Sequence, residues 1–537
     1  MPRNVAATIL EQLAAWGVKK IYGFIGDSIF YLFNALASRS DIDFYQVRHE
    51  ETAAFMASAH AKLTGELGVC IADGGPGTLH LLNGLADAYS DRVPVLAITG
   101  QVARKDIGTN AKQYIDQQSL FRPISSYTSL LCDQAKITDV LGKAYRCAVT
   151  GRSVAHVSVP MDVLPLACDA QIVPDAPYLN THPVSSTQVI DGAVAMMEQA
   201  IRPVILIGEG GRPAGALLAE LSARWGAAVI TTLQATGAVD CTQPLYVGGL
   251  GHAGSPAAAK ILSQADVCLI AGANWWPQKY VSHNISIIQI SQNPSDIGAT
   301  TPVSYGVVGD IELILKHILK KAHLSSNQEW IKNISQENAN WLDRLEQEVN
   351  APVSPIHPAA VVRAVQNAVT SDTIVCLDTG DHTVWFGRIF RPDRQRVLLS
   401  GKWRSMGFGL PAALAAKINH PAQKVIALVG DGGLAMNMAD FVTAVKYNLG
   451  ITVIVMNNCS LSMEKNKMLA GGLNPKGTSL LNPDFAKFAE CCGGKGYKVE
   501  HADKLNDVLQ VAINSDIPAI VDVQVASLAV PGTALPS

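Results

Sequence analysis

Short unbroken apolar runs alternate with segments of helical spacing along most of the chain. Ile9, Leu10, Leu13 and Trp16 mark one side of a helix near Val5–Trp16. Strands are then predicted at Ile21–Gly23, Asp43–Val47, Val69–Ala72 and Val95–Thr99. Helices from Ser28, over Glu50–Thr64 and over Thr78–Tyr89 separate them. Continuous apolar strands divided by helices are the signature of parallel sheets covered on both faces. The alternation returns at Val204–Ile207, Ala228–Thr231, Val267–Ala271 and Ile287–Ile290, and again from about residue 358 to a last strand at Ala519–Val525. Two Pro-punctuated segments, PDAPYLNTHPVSS and APVSPIHP, read as linkers, because Pro removes a donor and fixes an extended path. The expectation is an α/β protein of three doubly wound parallel-sheet domains, over 1–172, 186–350 and 358–530. The polar stretch from Leu319 to Asn350 reads as a solvated helical surface.

One βαβ unit carries polar groups at both strand ends. A strand at Val425–Val429 runs into Gly430-Asp431-Gly432-Gly433. Apolar positions at Leu434, Met438, Phe441, Val442, Val445 and Leu449 then give one helix, with Gly450 as its C-cap. A second strand, Ile451–Met456, ends at Asn457-Asn458. Parallel strands joined by a helix end on the same sheet edge, so Asp431 and Asn458 should converge. Both offer hard oxygen ligands, the glycines admit a ligand close to the backbone, and the helix start favours an anion. That set suits Mg²⁺ carrying a diphosphate, since Mg²⁺ takes few protein ligands and fills its octahedron with phosphate oxygens and water. Gly and Asn serving only as turn residues is the alternative for the same positions.

Composition narrows the class. The chain has 537 residues, 48% of them hydrophobic and 16% charged, with a formal net charge of −3. This length allows three or four domains. The charge gives no electrostatic case for nucleic acid, and no apolar run is long enough to span a membrane. The N-terminal helix is amphipathic and unlike a signal peptide. Ten cysteines are scattered without metal spacing, as for reduced thiols in a cytoplasm.

Four further stretches sit at strand-to-helix junctions. In Arg48-His49-Glu50-Glu51 a carboxylate opens a helix, where it either caps or does chemistry. Asp73-Gly74-Gly75-Pro76-Gly77-Thr78 and Asp378-Thr379-Gly380-Asp381-His382 are tight turns. In Ser405-Met406-Gly407-Phe408-Gly409 a Met stands among glycines, where plain packing is the alternative role.

Together these stretches resemble the thiamine diphosphate (ThDP) enzymes, in which GDG is followed downstream by NN. IYGFIGDSI, RHEETAAF, GGPGTLHLLNGLADA, VPVLAITGQ, SMGFGLPAA, VGDGGLAMNMADF and VMNN look most like the bacterial pyruvate oxidase and pyruvate:quinone dehydrogenase branch, with acetolactate synthases slightly further off. The resemblance implies that Asp431, the Asn458 side chain and the Ser460 carbonyl hold Mg²⁺. It places Gly430, Gly432, Gly433, Gly380, Asp381, His382 and Leu461 around the diphosphate end of the coenzyme, and Gly26, Gly75, Asn83 and Ser405 among its other contacts. Met406 would fill the angle of the bent coenzyme. Glu50 would bond to its pyrimidine nitrogen and stabilise the tautomer that removes the thiazolium proton. Lys112 and Gln113 would lie beside the thiazolium. A homotetramer built as a dimer of dimers is also implied, with Glu50 of one subunit facing Asp431 of another.

Four positions depart from that pattern. The family's oxidases carry an acid after a strand of their FAD-binding middle domain, where this chain has Ser291 in IIQISQNPSDIG. The loops Gly248–Gly254 and Gly272–Pro277 leave room for a flavin, so FAD stays open. The usual Phe-Gln reads Lys112-Gln113, an aliphatic pocket position reads Glu464, and a nearby acid reads Lys467. Charged residues there suit a more polar 2-oxo acid than pyruvate, unless they face solvent or pair with each other. The end ASLAVPGTALPS lacks the segment through which the quinone-linked enzyme meets membranes, so lipid activation is not expected. The expected activity is ThDP- and Mg²⁺-dependent decarboxylation of a short 2-oxo acid with electrons passing to FAD. One alternative is non-oxidative carboligation or protonation. Another, of a different class, is a catalytically silent binding protein.

Overall fold

A computed structural model describes residues 3–174, 182–282 and 284–533. Most of the first predicted linker, and the last residues of the C-terminal segment, lie outside the described residues.

Eighteen strands form three six-stranded, wholly parallel sheets. The first contains β1 (Lys20–Gly23), β2 (Asp43–Gln46), β3 (Gly68–Ala72), β4 (Val95–Gln101), β5 (Tyr127–Leu130) and β6 (Val154–Pro160), in the order β2-β1-β3-β4-β6-β5. The third contains β13 (Ile374–Leu377), β14 (Arg396–Leu399), β15 (Val425–Gly430), β16 (Ile451–Asn457), β17 (Lys495–Val499) and β18 (Ala519–Gln524). Its order, β14-β13-β15-β16-β18-β17, repeats the first. The middle sheet differs. It holds β7 (Pro203–Ile207), β8 (Ala228–Thr231), β9 (Tyr246–Gly249), β10 (Val267–Ala271), β11 (Ser286–Ser291) and β12 (Tyr305–Val308), ordered β12-β11-β10-β7-β8-β9. Read from β9 this is 3-2-1-4-5-6, the order of dinucleotide-binding sheets.

The outer two sheets share one apolar core. The Glu50–Thr64 helix is buried on every side from Thr52 to Ala61 and packs against the equally apolar Gly409–Asn419 helix. Phe55 and Phe408 meet edge to face at 5.7 Å. Within this seam Lys62 lies buried. Its Nζ is 2.6 Å from Asp87 Oδ2, 2.8 Å from Asp91 Oδ2 and 3.0 Å from the Leu399 carbonyl. Asp91 in turn accepts from the Gly401 and Lys402 amides, both at 2.8 Å.

Three expectations are corrected. The single helix after Gly433 is broken into Asp431–Asn437, a 3₁₀ turn at Met438–Asp440, and Phe441–Lys446. The break falls where Asp440 turns away, accepting from the Arg48 amide at 2.7 Å and from Thr443 Oγ1 at 2.8 Å. The chain leaves that helix at Tyr447 and Asn448, the latter at φ 51°, so Gly450 is not its cap. The polar stretch before residue 350 is no merely solvated surface: helix Gln328–Val349 buries a stripe of Trp330, Ile334, Trp341 and Leu345. Strands β5, β9, β12, β14 and β17 were not anticipated.

Removing Lys62 takes away the cation that two buried carboxylates share. Lys62→Met is therefore expected to destabilise the protein by about 3–5 kcal/mol, read as a lowered thermal unfolding midpoint; an unchanged midpoint would show the triad to be dispensable.

Candidate active site

The third sheet builds a cleft at the carboxyl ends of β13, β15 and β16, with about 630 Å³ of empty space that includes its opening to solvent. Gly430 is paired with Met456 across β15 and β16, which puts Asp431 and Asn458 side by side on the sheet edge. Gly380, Asp381, His382, Met406, Gly430, Asp431, Gly432, Gly433, Asn458, Ser460 and Leu461 all line this cleft.

Asp431 is 3% exposed. Its Oδ1 accepts from the Gly432 amide at 2.9 Å, its Oδ2 accepts from Asn482 Nδ2 at 2.8 Å, and the Cys459 and Ser460 amides also face it. Burial raises its pKa and these donors oppose the rise. Cys459 adopts φ 52°, a tight turn that swings Ser460 back toward the carboxylate. The two asparagines have separate roles. Asn457 faces the sheet and donates to Asp522 Oδ1 at 2.9 Å, whereas Asn458 Oδ1 is buried without a partner. Ser460 Oγ and His382 Nε2 are likewise buried and unpaired. Buried polar atoms nearly always have partners, so three orphans around one carboxylate mark a place built for a ligand. Oxygen donors from Asp431, Asn458 and Ser460 fit a hard divalent cation, and His382 fits a phosphate oxygen.

Burial governs the electrostatics of this cleft. Burial holds the His382 pKa at about 4 and pushes Asp381 up to about 6, with a bond from Trp385 Nε1 (3.1 Å) opposing the latter rise. Asp378, buried beneath, is pushed up to about 7 and accepts the Gly407 amide at 3.2 Å. A Cβ on Gly432 would fall 2.9 Å from Leu461 Cδ2 and 3.4 Å from Met406 Cε. Met406 and Leu461 therefore meet over a glycine floor as an apolar wedge above Asp431.

The first sheet builds a second cluster. Glu50 opens its helix behind N-cap His49, with its side chain 12% exposed and Oε2 at 2.8 Å from His80 Nδ1. A Cβ on Gly77 would lie 3.0 Å from Glu50 Oε1, and one on Gly75 would lie 2.7 Å from the Gln113 carbonyl. Gly75 (φ 62°) and Gln113 (φ 64°) both take left-handed backbone where they touch. Gly26 packs directly on the Asp73 carboxylate, which accepts from the Ser28 amide at 2.9 Å. Glu50, Gly26, Gly75 and Gln113 thus lie around one turn, with Lys112 exposed beside it.

Asn83 and Ser405, two of the expected coenzyme contacts, bond each other. Asn83 bonds Glu51 Oε1, donates to Ser405 Oγ at 2.9 Å and accepts from Trp403 Nε1 at 2.8 Å. The pair therefore links the outer domains. Glu464 lines the cleft and pairs with Lys467 at 3.3 Å, so facing the pocket and pairing with each other both hold. Asn482, His80 and Asp378 were not singled out. Asn482 sits in the irregular Leu480-Leu481-Asn482-Pro483 and carries no periodic signal. His80 could have been noticed as the His closing the GGPGTLH turn.

The middle sheet offers less to a dinucleotide. Ligands of such sheets bind at the switch point, here between β7 and β10. The turns after those strands are locked together: the Gly210 amide donates to the Gly272 carbonyl at 2.9 Å, and a Cβ on Gly272 would collide with the Gly211 amide. At the end of β11, Ser291 Oγ donates to Asp296 Oδ2 at 2.8 Å, and the other oxygen of Asp296 is held by Arg92 of the first domain. No free carboxylate is presented to a ribose there.

Known proteins match this layout in order. A family model of the thiamine pyrophosphate enzyme N-terminal TPP binding domain covers residues 3–120, that of the central domain 190–318, and that of the C-terminal TPP binding domain 378–523. The chain is 33% identical to a putative thiamine pyrophosphate-containing protein of Bacillus subtilis over 528 residues, covering 98% of this chain and 92% of that protein. It is 32% identical to a probable acetolactate synthase large subunit of Methanococcus aeolicus (97% and 91% covered) and 31% identical to a pyruvate oxidase of Lactiplantibacillus plantarum (96% and 87%). The two sheet-edge clusters, the apolar wedge above Asp431, and these full-length matches have one account: the chain belongs to the thiamine pyrophosphate enzyme family and is a thiamine diphosphate-dependent enzyme.

Proposed function

We propose that this enzyme uses Mg²⁺ with thiamine diphosphate to decarboxylate a short 2-oxo acid and passes the remaining carbon fragment to a proton or a second carbonyl compound without a flavin. The observation that carries the metal is the unpaired, buried Asn458 Oδ1 beside Asp431, on the turn that also carries Ser460. When bound, the coenzyme supplies a carbon nucleophile for the keto carbon and a sink for the electron pair that CO₂ leaves behind. The protein's own residues supply the rest. Asp431, Asn458 and Ser460 would hold the cation, and His382, neutral at pH 7, would bond a diphosphate oxygen. The Met406–Leu461 wedge would support the coenzyme. Glu50 would offer its carboxylate to the pyrimidine ring nitrogen and so hold a proton at that atom; His80 fixes the carboxylate's orientation through the 2.8 Å contact. Gln113, with Lys112, stands at the rim of the Glu50 cluster, where a substrate carboxylate would lie.

Glu50 and Asp431 reside in different domains, and the proposal includes a dimer of dimers in which two subunits complete each site. Support comes from apolar side chains left exposed beside each cluster, Phe30 (53%) and Leu79 (40%) near Glu50, Met436 (61%) and Leu481 near Asp431. A cytoplasmic location is proposed from the ten unpaired cysteines. No described helix is long and apolar enough to cross a membrane.

The second reading, oxidation through FAD, draws on likeness to a pyruvate oxidase. The closed turn pair at Gly210 and Gly272, and the Ser291–Asp296–Arg92 chain, favour the flavin-free one. Purified protein is expected to lack flavin absorbance and to release CO₂ equally with and without added FAD. Stoichiometric FAD uptake with acceleration by an electron acceptor would install the oxidative reading instead. Calorimetry should show coenzyme uptake that requires Mg²⁺ in the wild type and is lost in Asp431→Ala; metal-independent uptake would remove the assigned metal site. Glu50→Gln is expected to retain coenzyme binding yet lower kcat by about 10²–10⁴-fold, and undiminished turnover would defeat its role.

A further inference from the structure

The turn before the Glu50–Thr64 helix and the turn after β3 leave the same edge of the first sheet, and together they gather His49, Glu50 and His80. Among the described residues this is the place where three side chains of metal-ligand type hold their ligand atoms within 4.8 Å of one another. Glu50 Oε2 is 2.8 Å from His80 Nδ1, and the His49 and His80 rings lie 4.3 Å apart at 31°. Both histidines are exposed, whereas Glu50 is largely covered. The backbone beneath them is fixed. His49 caps its helix, its Nδ1 accepting from the Glu51 amide at 3.3 Å, and the preceding Arg48 amide is held at 2.7 Å by Asp440 of the third domain. His80 ends the short Pro76–His80 helix, whose Gly77 packs against Glu50 Oε1. No lysine or arginine pairs with Glu50 among the described residues.

Two imidazole nitrogens and one carboxylate oxygen are the donor set of open zinc sites, whose fourth position is left to water or to another ligand. Donors around a tetrahedral zinc ion stand roughly 3.3 Å apart, so ligand atoms already within 4.8 Å reach that spacing by side-chain rotation over a fixed backbone. Mg²⁺ demands an octahedron of oxygens and is a poor match for imidazole. The Asp431 cleft, with oxygen donors, and the His49–Glu50–His80 cluster therefore select different ions.

We propose that His49, Glu50 and His80 bind one Zn²⁺ ion when the coenzyme is absent, and that ion and coenzyme exclude one another because both require the Glu50 carboxylate. The ion takes the oxygen that otherwise faces the pyrimidine nitrogen, and it draws His80 away from its orienting contact. By linkage, zinc weakens coenzyme binding by the same factor as the coenzyme weakens zinc binding. The exclusion rests on the role given to Glu50 above; the metal site rests on the donor set and its spacing.

The test titrates Zn²⁺ by calorimetry into the full-length, coenzyme-free protein, with Mg²⁺ in excess, for wild type, His49→Asn, Glu50→Gln and Asp431→Ala. Asn is a preferred N-cap, so His49→Asn keeps the helix start while removing a ligand. Wild type and Asp431→Ala are expected to take up one Zn²⁺ per chain with equal affinity. His49→Asn and Glu50→Gln should each weaken that uptake by about tenfold or more, with the zinc-free thermal unfolding midpoint of His49→Asn unchanged. Saturating Zn²⁺ should lower the affinity of the wild type for thiamine diphosphate by about tenfold or more, an effect absent in His49→Asn. Zinc affinity unmoved in both ligand variants places the ion elsewhere, at thiols or the Asp431 cleft; that overturns the site and leaves the coenzyme reading standing. Zinc lost in both variants while coenzyme uptake ignores the metal overturns the exclusion, and with it the place assigned to Glu50. A protein that takes up no coenzyme even without zinc removes the Mg²⁺–coenzyme reading, and the two ligand variants still decide the metal site.

Discussion

A buried carboxylate at the edge of a parallel sheet is the constraint on which the site depends. Asp431 is charged chemistry placed where water cannot reach it, and such a group is costly unless donors or a cation surround it. The fold supplies donors from three places at once: the Gly432 amide at the helix start, the Cys459–Ser460 turn, and Asn482 from a later loop. Asn482 also donates to Asn457, at 2.9 Å, and Asn457 is pinned to Asp522 of the next strand. Three strand ends are tied through one carboxylate, and the atoms left over, on Asn458 and Ser460, point at what completes the set.

The same economy of position joins the domains. The outer sheets share strand order and packing, and both gather their chemistry at the turns after their first and third strands: Gly26 and Asp73–Gly77 in one, Asp378–His382 and Gly430–Gly433 in the other. The loop carrying Met406 is held from two sides by the first domain, through Asn83 at Ser405 and through Asp91 at Gly401 and Lys402. The position of Met406 is consequently set by residues more than 300 positions away in the chain. The middle sheet, with a dinucleotide-type order, uses its switch point for backbone-to-backbone packing and its Asp296 for a link to Arg92, which gives it a bracing role between the other two.

The three-sheet architecture and the residues of the Asp431 cleft were legible in the chain because they follow from short-range rules. Apolar runs of five to seven residues between helical segments can only be covered parallel strands, and strand ends of one sheet meet on one edge. That reasoning brought Asp431 to Asn458 and put Glu50 at a helix start. It failed where long-range contacts overrode local spacing. The helix after Gly433 breaks because Asp440 is drawn to the Arg48 amide, and the polar stretch near residue 340 forms a helix with a buried Trp330 and Trp341 stripe because a neighbouring sheet needs covering.

What the sequence determined by itself, then, was the convergence of Asp431 and Asn458 on one sheet edge, since spacing within one βαβ unit decides it, while the class of coenzyme chemistry followed from the resemblance of several motifs to a known family. Only the tertiary structure decided that Asn482 serves Asp431 and that Asn83 bonds Ser405 of another domain. Each joins residues tens to hundreds of positions apart, and such pairings are fixed by which domains and loops pack together, a choice that no local pattern of apolar and polar residues encodes.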